Sequence, residues 1–259
     1  MVSSGSARHA FVRELSPALA RCELSFLERA TIDVSLAVRQ HADYVAQLAA
    51  LGCEIAWLPP LPDHADGVFV EDTAVVLPEV TVITRPGAQS RRNEVESVAS
   101  SLARVTRVVR ILDPGTLEGG DVMQIGRTLY VGRSARSNQA GVQQLAAAVE
   151  PFGYRVRSAS MQGCLHLKSA VTFVPPDTVV VNPAWTDAAQ YEARHVVEVA
   201  EPFGANTLTL AGVTLVSADY PKTQRRLEDA GILTRALRVS ELHKAEAALT
   251  CMSLIAEGR

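Results

Sequence analysis

Long hydrophobic runs are missing from this chain. No apolar stretch approaches the roughly 18 residues of a membrane span, and the N-terminal M-V-S-S-G-S-A-R-H lacks the apolar core of a signal peptide. A soluble protein of the cytoplasm is expected. Cysteine is sparse too: Cys22, Cys53, Cys164 and Cys251 contain no C-x-x-C pair, so a reducing compartment would keep them as thiols rather than as a disulfide framework. The six histidines show no metal spacing. Cys164 and His166 could supply two ligands at most, and no metal is expected. Charge of one sign does not dominate either. A formal net charge of -3, with 20% charged against 47% hydrophobic residues, leaves no polybasic face or acidic tail to recruit nucleic acid or an anionic membrane. The partner should be a small molecule or a protein, with the chain itself a monomer or homodimer.

What is present is a repeat. H-A-F-V-R, between Arg8 and Arg13, reads as a short strand, and the aperiodic stretch Leu15 to Ile32 as a loop long enough to form a lid. A helix is expected from an N-cap at Asp33 to Leu51, then a strand from Cys53 to Leu58 that Pro59-Pro60 ends. Four hairpins of β-branched runs follow, starting at Thr73, Asp121, Ala170 and Thr207. Each precedes a helical stretch: Ser90 to Leu102, Ala135 to Phe152, Asp187 to Ala200, and Pro221 to Ala230. Closing strands begin at Val105, Tyr154 and Leu233, whereas the third of these four units offers only a short, doubtful candidate after Ala200. The unit is strand, strand, helix, strand, recurring at roughly 40 to 50 residues. A fifth unit exists only if the ends combine, with a strand at Cys251 to Ile255 beside His9 to Arg13. The expected fold is therefore an α/β propeller of five ββαβ units, with residues 1–259 forming one domain. A doubly wound sheet is the alternative, but it would not produce hairpins at this rate.

Polar outliers sit just before the first strand of each hairpin: Asp66, Glu71 and Asp72; Glu118 and Asp121; His166; Asn206; and Cys251. Each has a plain explanation, since acids near turns are usually solvated caps and a lone cysteine is usually a small core hydrophobe. Their coincidence in repeat phase is the signal, because equivalent positions of a radial repeat fall on one ring. Cys251 with His166 makes a thiol nucleophile and its acid/base. Carboxylates around a thiol discourage its ionisation, a conflict that disappears if the substrate brings the positive charge. A guanidinium is planar, permanently charged and matched to paired carboxylates, so Asp66, Glu71 and Asp72 would clamp it against Cys251. Arg85 and Arg136, on the far sides of the first two hairpins, suit a substrate carboxylate at the other end.

These residues resemble the dimethylarginine dimethylaminohydrolases of the guanidino-group-modifying superfamily. The resemblance spans nearly the whole chain, through R-H-A-F-V-R, F-V-E-D-T-A, I-T-R-P-G-A-Q-S-R-R-N-E, L-E-G-G-D-V, L-H-L-K-S, Y-P-K-T and S-E-L-H-K-A-E-A-A-L-T-C-M-S. Some of these fragments, E-D, G-G-D and H-L-K, also occur in arginine deiminases and amidinotransferases. The resemblance implies a five-bladed α/β propeller that hydrolyses methylated arginines to citrulline without a cofactor. It implies Cys251 as nucleophile, His166 as general acid/base and Glu118 as the acid orienting the imidazole. Asp66, Glu71 and Asp72 would bind the guanidinium, Arg85 and Arg136 the α-carboxylate, and Leu24 would belong to the lid. One departure stands out: Glu246-Ala247 where close relatives have glycine before the cysteine. The competing functions are hydrolysis of unmethylated arginine, whose enzymes usually carry an inserted helical domain with no room here, and non-catalytic arginine binding, against which Cys251 and His166 together speak.

Overall fold

Five three-stranded sheets, each built the same way, account for the strands of this computed structural model, which describes residues 7–257. In every sheet an inner strand runs antiparallel to a middle strand, and an outer strand runs parallel to the middle one. Ala74–Val76, Thr81–Ile83 and Val108–Arg110 form one such sheet. Val122–Ile125, Thr128–Gly132 and Arg155–Ala159 form the next. The third comprises Val171–Val174, Thr178–Val181 and His195–Glu198, and the fourth Leu208–Leu210, Val213–Ser217 and Thr234–Leu237. The fifth joins both ends of the chain: Leu254–Glu257 pairs antiparallel with Arg8–Val12, which pairs parallel with Cys53–Trp57. This is the five-unit ββαβ propeller expected from the hairpin count. The leader reading of the N-terminal sequence falls largely on residues 1–6, outside the described residues.

Parallel outer strands require a crossover, and in four units a helix provides it. Val34–Ala50 starts where the Asp33 carboxylate accepts the Leu36 N–H, and Gln139–Val149 where the Asn138 amide oxygen accepts the Gly141 N–H. Val95–Leu102 and Pro221–Asp229 serve the other two. The expected helix from Asp187 to Ala200 does not form. Asp187 caps one 3-10 turn, Ala188–Gln190, and the chain then extends into His195–Glu198. Tyr191 fixes the change of direction by packing edge-on against Tyr130 and hydrogen-bonding Thr186. The valines that looked helical in spacing form an outer strand and its continuation, so the missing closing strand lies before Ala200 rather than after it. Cys251 likewise belongs to a 3-10 turn, Thr250–Met252, ahead of the inner strand.

The core is divided among the junctions between units. Five buried apolar clusters each draw on two neighbouring units, and the cluster containing Phe11, Leu254, Ala74 and Ile83 joins the fifth unit to the first. Burying apolar faces between blades holds the ring together and brings the segments before the inner strands to one place. No helix among the described residues is long and apolar enough to cross a membrane.

Candidate active site

Four short turns deliver the polar residues, each immediately before an inner strand: Val70–Thr73, Gly119–Asp121, Leu167–Ala170 with His166 at its N-cap, and Thr250–Met252. Close backbone approach makes this possible. A Cβ on Gly119 would lie 2.0 Å from the Glu71 carbonyl oxygen, and one on Gly120 would lie 2.7 Å from Asp72 Oδ1 and 2.8 Å from His166 Nδ1. The two glycines of L-E-G-G-D are therefore spacing elements of the site rather than turn formers alone. Gly120→Ala is expected to retain the far-ultraviolet circular dichroism of the fold while kcat falls about 100-fold, since a shift of about 1 Å in the imidazole is enough for that loss.

His166 is buried between two acids. Its Nε2–H donates to Glu118 Oε2 at 2.7 Å, and Nδ1 lies 3.7 Å from Asp72 Oδ1. Burial works against the charged ring, but Asp72, the bond to Glu118 and Asp121 outweigh it and push the pKa up to about 9. Glu118, fully buried, pays a desolvation penalty that the His166 bond and the Arg91 and Arg136 guanidiniums overcome, which holds its carboxyl well below the usual range. Cys251 is partly exposed, and its Sγ accepts the Ala248 N–H at 3.4 Å. Burial of the sulfur, then Glu71 and Asp72, push this thiol far above its ordinary value. These shifts favour a neutral thiol and a charged imidazole in the cavity that Cys251 and His166 share.

Cys251 and His166 line one small cavity with Glu23, Asp66, Asp72, Arg91, Arg136 and Glu246, and about 20 Å³ of it is free, little more than a water molecule occupies. Asp66 is kept partly protonated by burial, with Arg91 and the Glu23 N–H opposing, at a pKa of about 6. The other expected site residues lie elsewhere. Glu71 faces a second, larger cavity, where Oε1 accepts from Lys168 Nζ and Oε2 from the Thr250 hydroxyl, both at 2.7 Å. Asn206 secures the same turn, accepting the Thr250 N–H and donating to the Lys168 carbonyl. Leu24 packs partly buried on the core beside the lid and does not line the cavity. Arg85 is absent from the cavity as well, because its guanidinium is tied to Asp113 and the Gly115 carbonyl.

Arg91, six residues on, does line the cavity. It is buried, its Nη1 reaches Asp72 Oδ2, its Nη2 donates to the Phe69 carbonyl at 2.7 Å, and its Nε and Nη2 converge on Glu94. The S-R-R-N-E stretch contained it, but nothing in the spacing separates an arginine on a strand end from one on the following turn. Glu246 was also unassigned as a functional group. It adopts φ 56°, the left-handed region that favours glycine, and its carboxylate accepts the N–H groups of Ser25, Phe26 and Leu27. The departure from glycine is thus a clasp on the loop over the cavity. Asp72, Glu118 and His166 present ligand atoms within 4.8 Å of one another, a spacing that could suit a metal ion. Arg91 on Asp72 and the His166 proton on Glu118 already supply the positive charge there, and a metal would have to displace both, so this trio fits a metal poorly.

A ring of five ββαβ units with a thiol, an imidazolium and carboxylates around a central cavity places the chain in the class of guanidino-group-modifying enzymes. A family model described as N,N dimethylarginine dimethylhydrolase, eukaryotic, matches residues 24–201. An N(G),N(G)-dimethylarginine dimethylaminohydrolase of Streptomyces coelicolor is 43% identical over 249 residues, covering 95% of this chain and 96% of its own. The chain belongs to the dimethylarginine dimethylaminohydrolase family. Among solved structures, a variant of the Pseudomonas aeruginosa enzyme complexed with citrulline superimposes with a TM-score of 0.89 at 28% identity, over 97% of this chain and 99% of that one. The N-terminal domain of ArgZ, a cyanobacterial arginine dihydrolase, shares the fold at 17% identity, with a TM-score of 0.86 over 96% of this chain and 97% of that one.

Proposed function

We infer that this chain hydrolyses N-methylated arginines to citrulline and methylamine or dimethylamine, with Cys251 as nucleophile, His166 as acid and base, and Glu118 fixing the charge and orientation of the imidazole. The observation that carries the assignment of roles is that Cys251 lines one cavity with His166, whose ring lies between Glu118 at 2.7 Å and Asp72 at 3.7 Å. A cationic guanidinium entering beside Asp72 and Asp66 offsets the field of the acids and lowers the thiol pKa, and the Cys251 proton leaves to solvent. The thiolate attacks the guanidinium carbon. The C–N bond to the methylated nitrogen then breaks as His166 gives that nitrogen a proton, leaving an S-alkylthiouronium on Cys251. His166, now neutral, takes a proton from water as the water oxygen adds to the same carbon, and cleavage of the C–S bond, with the adduct's hydroxyl proton lost to solvent, returns the thiolate and citrulline. Chemistry of this kind uses no cofactor. Residues 7–257 belong to one propeller domain in this reading, and the protein works in the cytoplasm. Incubation with monomethylarginine and with arginine, scored for citrulline and for methylamine against ammonia, tests it: higher kcat/KM for arginine would make the chain a deiminase, and no citrulline from either would make it a binding protein.

Arg136 takes the α-carboxylate, because it lines the cavity with its paired acids no closer than 3.5 Å, whereas Arg91 is held tightly by Asp72 and Glu94. Arg136→Ala should raise KM for monomethylarginine by at least about tenfold and lower kcat much less, since the clamp holds ground and transition states alike. Arg85→Ala, which loses only its contacts to Asp113 and Gly115, should leave both constants within about twofold. Steady-state kinetics on the two variants checks the contrast, and equal losses would return Arg85 to the site.

The protonation states fix a pH dependence. The reacting form, thiolate with imidazolium, carries one proton fewer than the resting form, so kcat/KM should rise close to tenfold per pH unit from about pH 6 to about pH 8. The rise should flatten toward the His166 pKa of about 9, where loss of the imidazolium proton cancels further gain. A profile already flat from pH 6 to 8 would mean that the thiolate exists before substrate arrives.

A further inference from the structure

The loop over the cavity carries an acid that none of the roles above uses. Glu23 Oε2 lies 3.5 Å from Arg136 Nη2, Oε1 accepts the Ser90 hydroxyl, and the Glu23 N–H donates to Asp66 Oδ2 at 3.2 Å. Two residues on, Ser25 Oγ accepts from the same Arg136 nitrogen at 3.1 Å. The other side of the guanidinium stands 3.5 Å from Glu118 Oε1, an acid already engaged with His166. Arg136 is 13% exposed and Glu23 40%, so the arginine is the fixed member of the pair and the glutamate the one free to leave.

A permanently charged guanidinium withdrawn from water draws in whatever anion can reach it. Here the chain supplies one, in the place where the substrate carboxylate must go.

We propose that Glu23 is an internal stand-in for the substrate α-carboxylate, occupying Arg136 in the empty enzyme and being exchanged for that carboxylate on binding. This rests on Arg136 as the carboxylate site. The exchange has two consequences. Methylarginine binds with only the difference between its own carboxylate and Glu23, so the acid weakens apparent affinity. A guanidine without a carboxylate gives Arg136 no replacement and leaves Glu23 where it is.

The test compares N-methylarginine with its decarboxylated analogue in wild type, Glu23→Gln and Arg136→Ala. Glutamine keeps the length of the side chain and a hydrogen bond to Ser90 but offers Arg136 no charge. Glu23→Gln should lower KM for N-methylarginine about three- to fivefold, the range of a partly exposed ion pair, and leave KM of the decarboxylated analogue where it was, widening the ratio of kcat/KM between them. A general loosening of the loop would move both substrates together and overturn the proposal. A raised KM for N-methylarginine and for the decarboxylated analogue alike, since both keep the amino group, would overturn it by making Glu23 the partner of that ammonium. Unchanged constants would overturn it by showing the contact to be idle. Arg136→Ala separates the two levels: if it does not narrow the ratio, the carboxylate site itself is misplaced, whereas a narrowed ratio with no effect of Glu23→Gln removes Glu23 alone.

Discussion

Replacement of Cys251 by serine should lower citrulline formation by at least about 10⁴-fold while thermal stability changes little. Loss of a nucleophile from a covalent mechanism costs on this scale or more, and serine meets two obstacles here. Its hydroxyl is a far weaker acid than the thiol, and the field of Glu71 and Asp72 that already pushes the thiol pKa up opposes the alkoxide still more. Binding should survive, because the groups assigned to the substrate's two ends stay in place. Isothermal titration of the variant with N-methylarginine then measures a dissociation constant without turnover. Residual activity within about tenfold of wild type would remove Cys251 from the mechanism, and loss of binding together with turnover would show that the substitution disturbs the cavity.

Glu118→Gln should lower kcat by about 10² to 10⁴-fold, the range found when a buried acid that orients a catalytic histidine is made neutral. Glutamine can keep a hydrogen bond to His166 Nε2 but removes the negative charge 2.7 Å away. The sign of the accompanying shift follows: less support for the imidazolium lowers the His166 pKa from its present value of about 9. The bend in the pH profile of kcat/KM should therefore move to lower pH. A loss of rate with an unmoved bend would assign Glu118 to orientation alone, and no loss of rate would free it from the mechanism. Because Glu118 also faces Arg136, KM deserves separate measurement in the same variant.

The ring of units was legible because β-branched pairs around turns recur, and because recurrence places equivalent positions on one circle. The convergence of Cys251, His166 and Glu118 on one place was legible for that reason. The crossover after Thr178–Val181 was not, since H-V-V-E-V following a capped turn fits either period, and only the packing of Tyr191 against Tyr130 decides for an extended chain. Glu71 and Asp72 are adjacent in sequence and look equivalent, yet they face different cavities, with Asp72 on His166 and Arg91 and Glu71 on Lys168. Arg85 and Arg91 point to different places, which distance along the chain does not report. An isolated bridge to Leu117 fixes the backbone at Arg85, and its side chain reaches Asp113, whereas the turn Gln89–Glu94 aims Arg91 inward. Glu246 was visible only as a missing glycine, because a side chain reaching a segment more than 200 residues away leaves no local pattern.

The pairing of the first and last strands has a mechanical side. In that sheet Arg8 stands opposite Glu257 and Phe11 opposite Leu254, so a pull applied across Arg8 and Glu257 meets the ladder bonds one after another. The pair would unzip at low force, as opposed to the shearing of all bonds together when load runs along the strands. The strand that peels away first begins three residues after Cys251. A gentle stretch would therefore open this ladder from Glu257 to Leu254 while the other four sheets still hold, and the turn carrying the thiol is the next segment the tension would reach.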